Sequence, residues 1–134
     1  MDLLIDTNVF LDLYCVRRDY DAANRAFIRL LQDGDSAFVS ASSLTDMFYI
    51  VRKKAKSTAR AYEVLDEVCA VADILPVVPD DIAQARALDW KDFEDALQLT
   101  VAMNNGMDGI ITNDTGDFES TPIPVMKPLE YSER

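Results

Sequence analysis

Five short apolar runs alternate with segments of helical periodicity, and this alternation restricts the folds open to the chain more than any other feature. The runs are "DLLID" (2–6), "SAFVS" (36–40), "DILPVV" (73–78), "DGIIT" (108–112) and "IPVM" (123–126). Between them, residues 8–16, 19–33, 42–54, 57–71, 80–88 and 92–105 read as helices. In 19–33 a stripe of Ala22, Ala23, Ala26, Phe27, Leu30 and Leu31 runs to a stop at Gly34. Ser42 or Ser43 would cap the third helix, and Ala61, Val64, Leu65 and Val68 keep helical register in the fourth. Pro76 places its strand at a sheet edge or ends it. Strands alternating with helices predict a parallel sheet of four to five strands covered on both faces, a three-layer α/β/α sandwich. No Pro/Gly-rich linker divides the 134 residues, so a single domain (1–134) is expected.

Composition matters most for what it excludes. The chain has no histidine, which removes Ser-His and Cys-His nucleophile pairs, common zinc sites and imidazole acid–base chemistry. Cys15 and Cys69 lack CxxC spacing and read as buried thiols of a cytoplasmic protein. No apolar run approaches a membrane span, so no membrane partner is expected. The net charge of -11 opposes binding to phosphates in general. Yet "VRKKAKSTAR" (51–60) gathers Arg52, Lys53, Lys54, Lys56 and Arg60, five of the 13 basic residues. Taken alone, that run is a solvated turn between helices.

The acids fall in a pattern. Ligands of open α/β sheets bind beyond the carboxyl ends of the strands. Asp6 ends the first strand, Asp114 and Asp117 follow the fourth, Asp46 lies early in the helix after "SAFVS", and Asp95 starts the helix before "DGIIT". Each has a plain reading: Asp46 in a capping box with Ser43, Asp95 in a D-x-x-D start with Asp92, and Asp114 and Asp117 as turn residues. Asp6, between an apolar strand and Thr7-Asn8, has no local cap to make. Several carboxylates at one sheet edge repel one another unless a cation neutralises them, and a Mg²⁺ or Mn²⁺ site does so.

Four blocks in order, "LIDTNVFLD", "SASSLTDMFYIVRK", "LDWKDFEDALQLTVAMNNGMDGIITNDTGDF" and "TPIPVMKPLEY", resemble the successive signatures of the PIN-domain family, in its bacterial branch of VapC-type toxins. The resemblance spans essentially the whole chain. It implies a PIN-like α/β/α fold and an endoribonuclease dependent on Mg²⁺ or Mn²⁺, with one or two ions. The family's acidic quartet falls on Asp6, Asp46, Asp95 and an acid of the turn after Thr112. Asp46 stands where many relatives place glutamate, and its shorter arm points to a water-mediated role. Relatives often read T-R-N-x-x-D-F in the turn. Here Thr112-Asn113-Asp114-Thr115-Gly116-Asp117-Phe118 lacks the arginine and divides the fourth ligand between Asp114 and Asp117. Thr7, Asn8 and Thr112 would orient the ligands or their waters.

Such a site activates a water for in-line attack on phosphorus, leaving a 5′-phosphate and a 3′-hydroxyl. In this frame the 52–60 basic run becomes a set of RNA-backbone candidates. Aspartyl-phosphate phosphatases also begin with a strand and an acid, but need a second acid where Asn8 stands. The remaining alternative is a catalytically silent PIN-fold module that docks a protein or RNA. "LTDMFYIVRK" is apolar around much of its circumference, so it and residues 57–71 are expected to form a homodimer or antitoxin surface.

Overall fold

The structure, a computed structural model, describes residues 1–15 and 17–134. Position 16, expected to close the first helix, lies outside the described residues. In chain order the elements are β1 (Asp2–Ile5), α1 (Thr7–Tyr14), α2 (Tyr20–Asp33), β2 (Ser36–Ser40), α3 (Ala41–Ala55), α4 (Thr58–Val71) and β3 (Ala72–Leu75). Then come α5 (Pro79–Leu88), α6 (Phe93–Asn104), β4 (Gly109–Ile111), a 3-10 turn (Thr115–Asp117), β5 (Val125–Met126) and α7 (Pro128–Ser132).

All strand pairs are parallel, in the order β3-β2-β1-β4-β5. Side chains along each strand alternate between two cores, as the pleat requires. Leu3, Ile5, Val39 and Ile111 pack under α1–α4 and α7, whereas Leu4 and Ile110 pack under α5 and α6. The sheet is therefore covered on both faces, which is why its strands read as nearly continuous apolar runs. Gly109 sits where a Cβ would meet Pro124 O at 3.2 Å and Leu3 Cδ2 at 3.3 Å, so a side chain there would push its neighbours aside by a few tenths of an ångström. Among the described residues, no helix is long and apolar enough to cross a membrane.

Several local expectations are corrected. α3 begins at Ala41 with Ser40 at its N-cap, so neither Ser42 nor Ser43 caps it. Ser42 instead shares a 2.9 Å hydroxyl contact with Ser40. Asp46 therefore lies in the second turn, beyond reach of a capping box. The third strand stops at Leu75, before Pro76, and does form a sheet edge. Cys15 and Cys69 are exposed, not buried. α4 buries Ala61, Val64 and Val68, and one step of 100° past Val68 turns Cys69 towards water. α7 was not expected at all. It packs on α2 through Tyr131, which is 1% exposed and donates its hydroxyl to Asp35, the same carboxylate that accepts the Met1 amine at 2.7 Å.

The basic run also resolves into parts. α3 ends at Ala55, Lys56 takes a left-handed conformation (φ 52°), and the Ser57 hydroxyl accepts the Arg60 N–H to cap α4. Arg60 donates to Tyr14 O at 2.8 Å and pairs with Glu63 and Glu67 at 3.1 and 3.3 Å. It clips the end of α1 to α4. Arg52, Lys53, Lys54 and Lys56 stay exposed.

Candidate metal centre

The chain order reverses direction across the sheet between β1 and β4, and open α/β sheets form their ligand crevice at such a point. Asp6 and Thr112 stand there at the carboxyl ends of the two strands, joined by Asp6 N–H donating to Ile111 O at 2.9 Å. Asp6 occupies the N-cap position of α1 but makes no side-chain cap. Its carboxylate, 3% exposed, turns into the crevice instead. Oδ1 accepts from Gln98 Nε2 at 2.7 Å, and Oδ2 accepts from Thr112 Oγ1 at 2.6 Å and Asn8 Nδ2 at 3.2 Å. These donors favour the charged form, yet burial outweighs them and holds the Asp6 carboxyl above the usual range, with the nearby Asp114 charge adding to the effect.

α6 delivers the next group. Asp92 caps it by accepting the Asp95 backbone N–H at 3.1 Å. Asp95 is buried, and desolvation followed by the charges of Asp6, Asp92, Asp117 and Glu94 pushes it up to about 8. Glu94 rises to about 6, through lost hydration first and then the charges of Asp46, Asp6 and Asp92. Asp117 is brought over from the 3-10 turn by two ties. Phe118 packs edge-on against Trp90 at 5.9 Å, and Glu119 accepts the Lys91 N–H at 2.9 Å. Asp92, Asp95 and Asp117 consequently offer carboxylate oxygens that all lie within 4.8 Å of one another.

The expected residues are thus distributed unevenly. Asp6 and Asp95 line one cleft of about 260 Å³ together with Thr7, Asn8 and Glu94. Asp117 is close to Asp95, whereas Asp114 accepts from Asn8 Nδ2 at 2.8 Å and is linked through that amide to Asp6. Asp46 is exposed and reaches the cluster only through its charge on Glu94. Thr112 fixes Asp6 and also accepts the Asp114 N–H at 3.1 Å. Thr7 Oγ1, on the cleft wall, is buried without a partner among the described residues, as is Gln98 Oε1.

Sequence reasoning took Asp92 for a cap alone and overlooked Glu94, Gln98, Asp12 and Arg17. Gln98 had a visible signal: it is polar within a buried run from Asp95 to Ala102 and lies one turn from Asp95. Asp12 likewise interrupts the apolar face of α1. Buried to 2%, it accepts from Asn113 Nδ2 at 2.6 Å and from Arg17 Nε at 3.0 Å. Asn113 stands where relatives often carry arginine. Here it ties the turn to Asp12, which in turn holds a guanidinium from elsewhere in the chain.

A family model described as PIN domain matches residues 2–116. The chain belongs to the PIN-domain family. Among relatives, it is 28% identical over 138 residues to Ribonuclease VapC1 of Aquifex aeolicus (strain VF5), covering 98% of this chain and 94% of that one. Solved structures superimpose over almost the whole chain. VapBC-1 from nontypeable Haemophilus influenzae gives a TM-score of 0.74 at 12% identity, covering 96% of this chain and 98% of that one. A toxin-antitoxin complex from Klebsiella pneumoniae gives 0.68 at 25% identity, covering 96% and 98%.

The donor set fits a hard divalent cation. It consists of carboxylate oxygens, with no histidine in the chain to favour zinc. Asp95, whose carboxyl is pushed up first by burial and then by its acidic neighbours, is the group whose ionisation such a cation would favour.

Proposed function

We propose that this PIN-domain protein is an endoribonuclease dependent on Mg²⁺ or Mn²⁺ and the toxin of a toxin-antitoxin pair. The observation that carries the reading is the gathering of Asp6, Asp95, Asp117 and Asp92 at the crevice between β1 and β4. The likeness to Ribonuclease VapC1 and to toxin-antitoxin structures supports it. Asp95, Asp117 and Asp92 would hold the cation, with Asp6 facing it from the other wall. When bound, the cation supplies Lewis acidity, lowering the pKa of a water and neutralising charge on the scissile phosphate. Gln98, Thr112 and Asn8 lock Asp6 in one orientation, so its charge is fixed before RNA arrives. Asn8 also holds Asp114, which places that acid one hydrogen bond further from the centre. Arg52, Lys53, Lys54 and Lys56 offer exposed charge to the RNA backbone; Arg60 is already committed to Tyr14, Glu63 and Glu67.

The two turn acids should separate cleanly. Asp117→Asn is expected to lower RNA cleavage by well over 100-fold, because it removes an oxygen from the closest carboxylate group. Asp114→Asn should cost about 10–100-fold, the range for a residue that orients another ligand. Initial rates on mixed cellular RNA with Mn²⁺ distinguish them, and equal losses would refute the division of roles.

The surface of α3 and α4 is read as a self-association face. Met47 and Val51 are buried in the core, while Tyr49 and Tyr62 are 54% and 57% exposed, and Phe48 packs edge-on against Tyr62 at 4.8 Å. A single helix cannot turn all these side chains inward. Sedimentation velocity is expected to show a homodimer that Tyr62→Glu weakens; a concentration-independent monomer would oppose it, leaving the face to an antitoxin.

A further inference from the structure

A second cavity, about 390 Å³, opens beside the acidic cleft between the end of α1 and the facing surfaces of α3 and α4. The two spaces adjoin: Leu11, Arg17 and Ile50 line both. The outer cavity differs in chemistry. Its walls are Tyr14, Ile50 and Val51 with the stems of Lys54 and Arg60, and no carboxylate lines it among the described residues. Its volume lies within the range of small-molecule sites.

The cations around it are not equivalent. Arg60 is held by three partners, so its guanidinium is a fixed plane. Arg17 is fixed by Asp12 at the boundary between cavity and cleft. Lys54 makes no ion pair among the described residues. In a chain of net charge -11, the rim gathers three cations beside the cluster of acids; Asp12, Glu63 and Glu67 offset Arg17 and Arg60, which leaves Lys54 as the positive charge offered to a ligand.

We propose that this cavity is a nucleotide subsite that takes the base next to the scissile phosphate of single-stranded RNA. Tyr14 and the immobilised Arg60 guanidinium supply the flat surfaces on which bases stack. Lys54 and Arg17 receive the phosphates on either side. The subsite sets which nucleotide flanks the cut, and it rests on the ribonuclease reading given above.

Two measurements test it. The first is cleavage of a random-sequence single-stranded RNA library with Mn²⁺, with ends sequenced for wild type, Ala55→Trp and Lys54→Ala. Ala55 is exposed at the end of α3 and lines the cavity, so tryptophan there fills it; melting curves verify that both variants fold. Wild type is expected to prefer one base beside the cut, and Ala55→Trp to reduce that preference about tenfold, with Lys54→Ala weakening it less. The second uses Cys15, an exposed thiol on the cavity wall, with exposed Cys69 as the internal control. Random octaribonucleotides in Ca²⁺ should slow alkylation of Cys15 and not of Cys69. An unchanged preference in both variants, or Cys15 alkylated equally fast with and without RNA, overturns the proposal. So does protection of Cys15 by a protein partner but not by RNA. If RNA protects Cys15 while wild type cuts nothing, the subsite stands and the ribonuclease reading fails; cutting without protection is the reverse.

Discussion

Asp6→Asn is expected to reduce metal-dependent RNA cleavage by about 1000-fold or more while leaving the fold intact. The loss corresponds to about 4 kcal/mol of transition-state stabilisation, the scale on which a cation and its charged surroundings act. The fold survives for a reason visible in its hydrogen bonds. Asp6 accepts from Gln98, Thr112 and Asn8, so an amide at this position must turn its NH₂ towards one of them. Gln98 can receive it, because Gln98 Oε1 is buried without a partner among the described residues, and rotating that side-chain amide presents this oxygen to the new donor. Asparagine thus keeps size and hydrogen bonding and loses only charge. Rates measured beside thermal melts check both halves of this expectation. Asp6→Ala strands the Gln98 and Thr112 donors, whereas Asn8 keeps Asp114, and should by contrast cost about 1–3 kcal/mol of stability for each group left unpaired.

Asp95→Asn is expected to move activity and stability in opposite directions. Cleavage should fall on the same scale as for Asp6→Asn. Stability without divalent cations should rise, most at alkaline pH. The sign follows from the Asp95 carboxyl, held at about 8 in the folded protein against 3.8 when free. Between these values the native state holds a proton that the unfolded chain has released. Stability is therefore fully present below about pH 4 and is lost as pH climbs to about 8. An amide is neutral throughout, so the variant should flatten most of this slope; Glu94 and Asp6, whose carboxyls are also raised, retain the remainder. In EDTA at pH 8 the variant should melt roughly 5 °C above wild type. Adding Mn²⁺ should raise the melting temperature of wild type by mass action and leave the variant nearly unmoved. A wild-type melting temperature that climbs from pH 5 to 8 in EDTA would contradict the electrostatic picture.

The sheet was legible because both its faces are buried. A strand such as "SAFVS" must then be apolar nearly throughout, and its limits coincide with Ser36–Ser40. Asp6 was legible for a related reason, since an acid ending a buried strand without a cap to make stands out against its neighbours. α7 was not legible: five residues are too few to display helical periodicity, and what holds it is a contact between Tyr131 and Asp35, 96 positions away. Cys15 and Cys69 were misread because an apolar pattern does not fix which side of a helix one residue takes. Asp92 and Asp117 illustrate a further limit. Their approach depends on the packing of Trp90 on Phe118, a long-range contact that no local spacing encodes. Arg17 differs: it reaches the cleft through Asp12, only five residues earlier in the chain.

The central claim, a carboxylate centre that cuts RNA with a divalent cation, is tested most directly by treating mixed cellular RNA with purified protein in Mn²⁺, in Mg²⁺ and in EDTA, with Asp6→Asn alongside. The expected result is cleavage by wild type in the cation-containing reactions alone, with 5′-phosphate and 3′-hydroxyl ends, and none by Asp6→Asn. Cleavage that persists in EDTA, 2′,3′-cyclic phosphate ends, or an Asp6→Asn protein as active as wild type would contradict it.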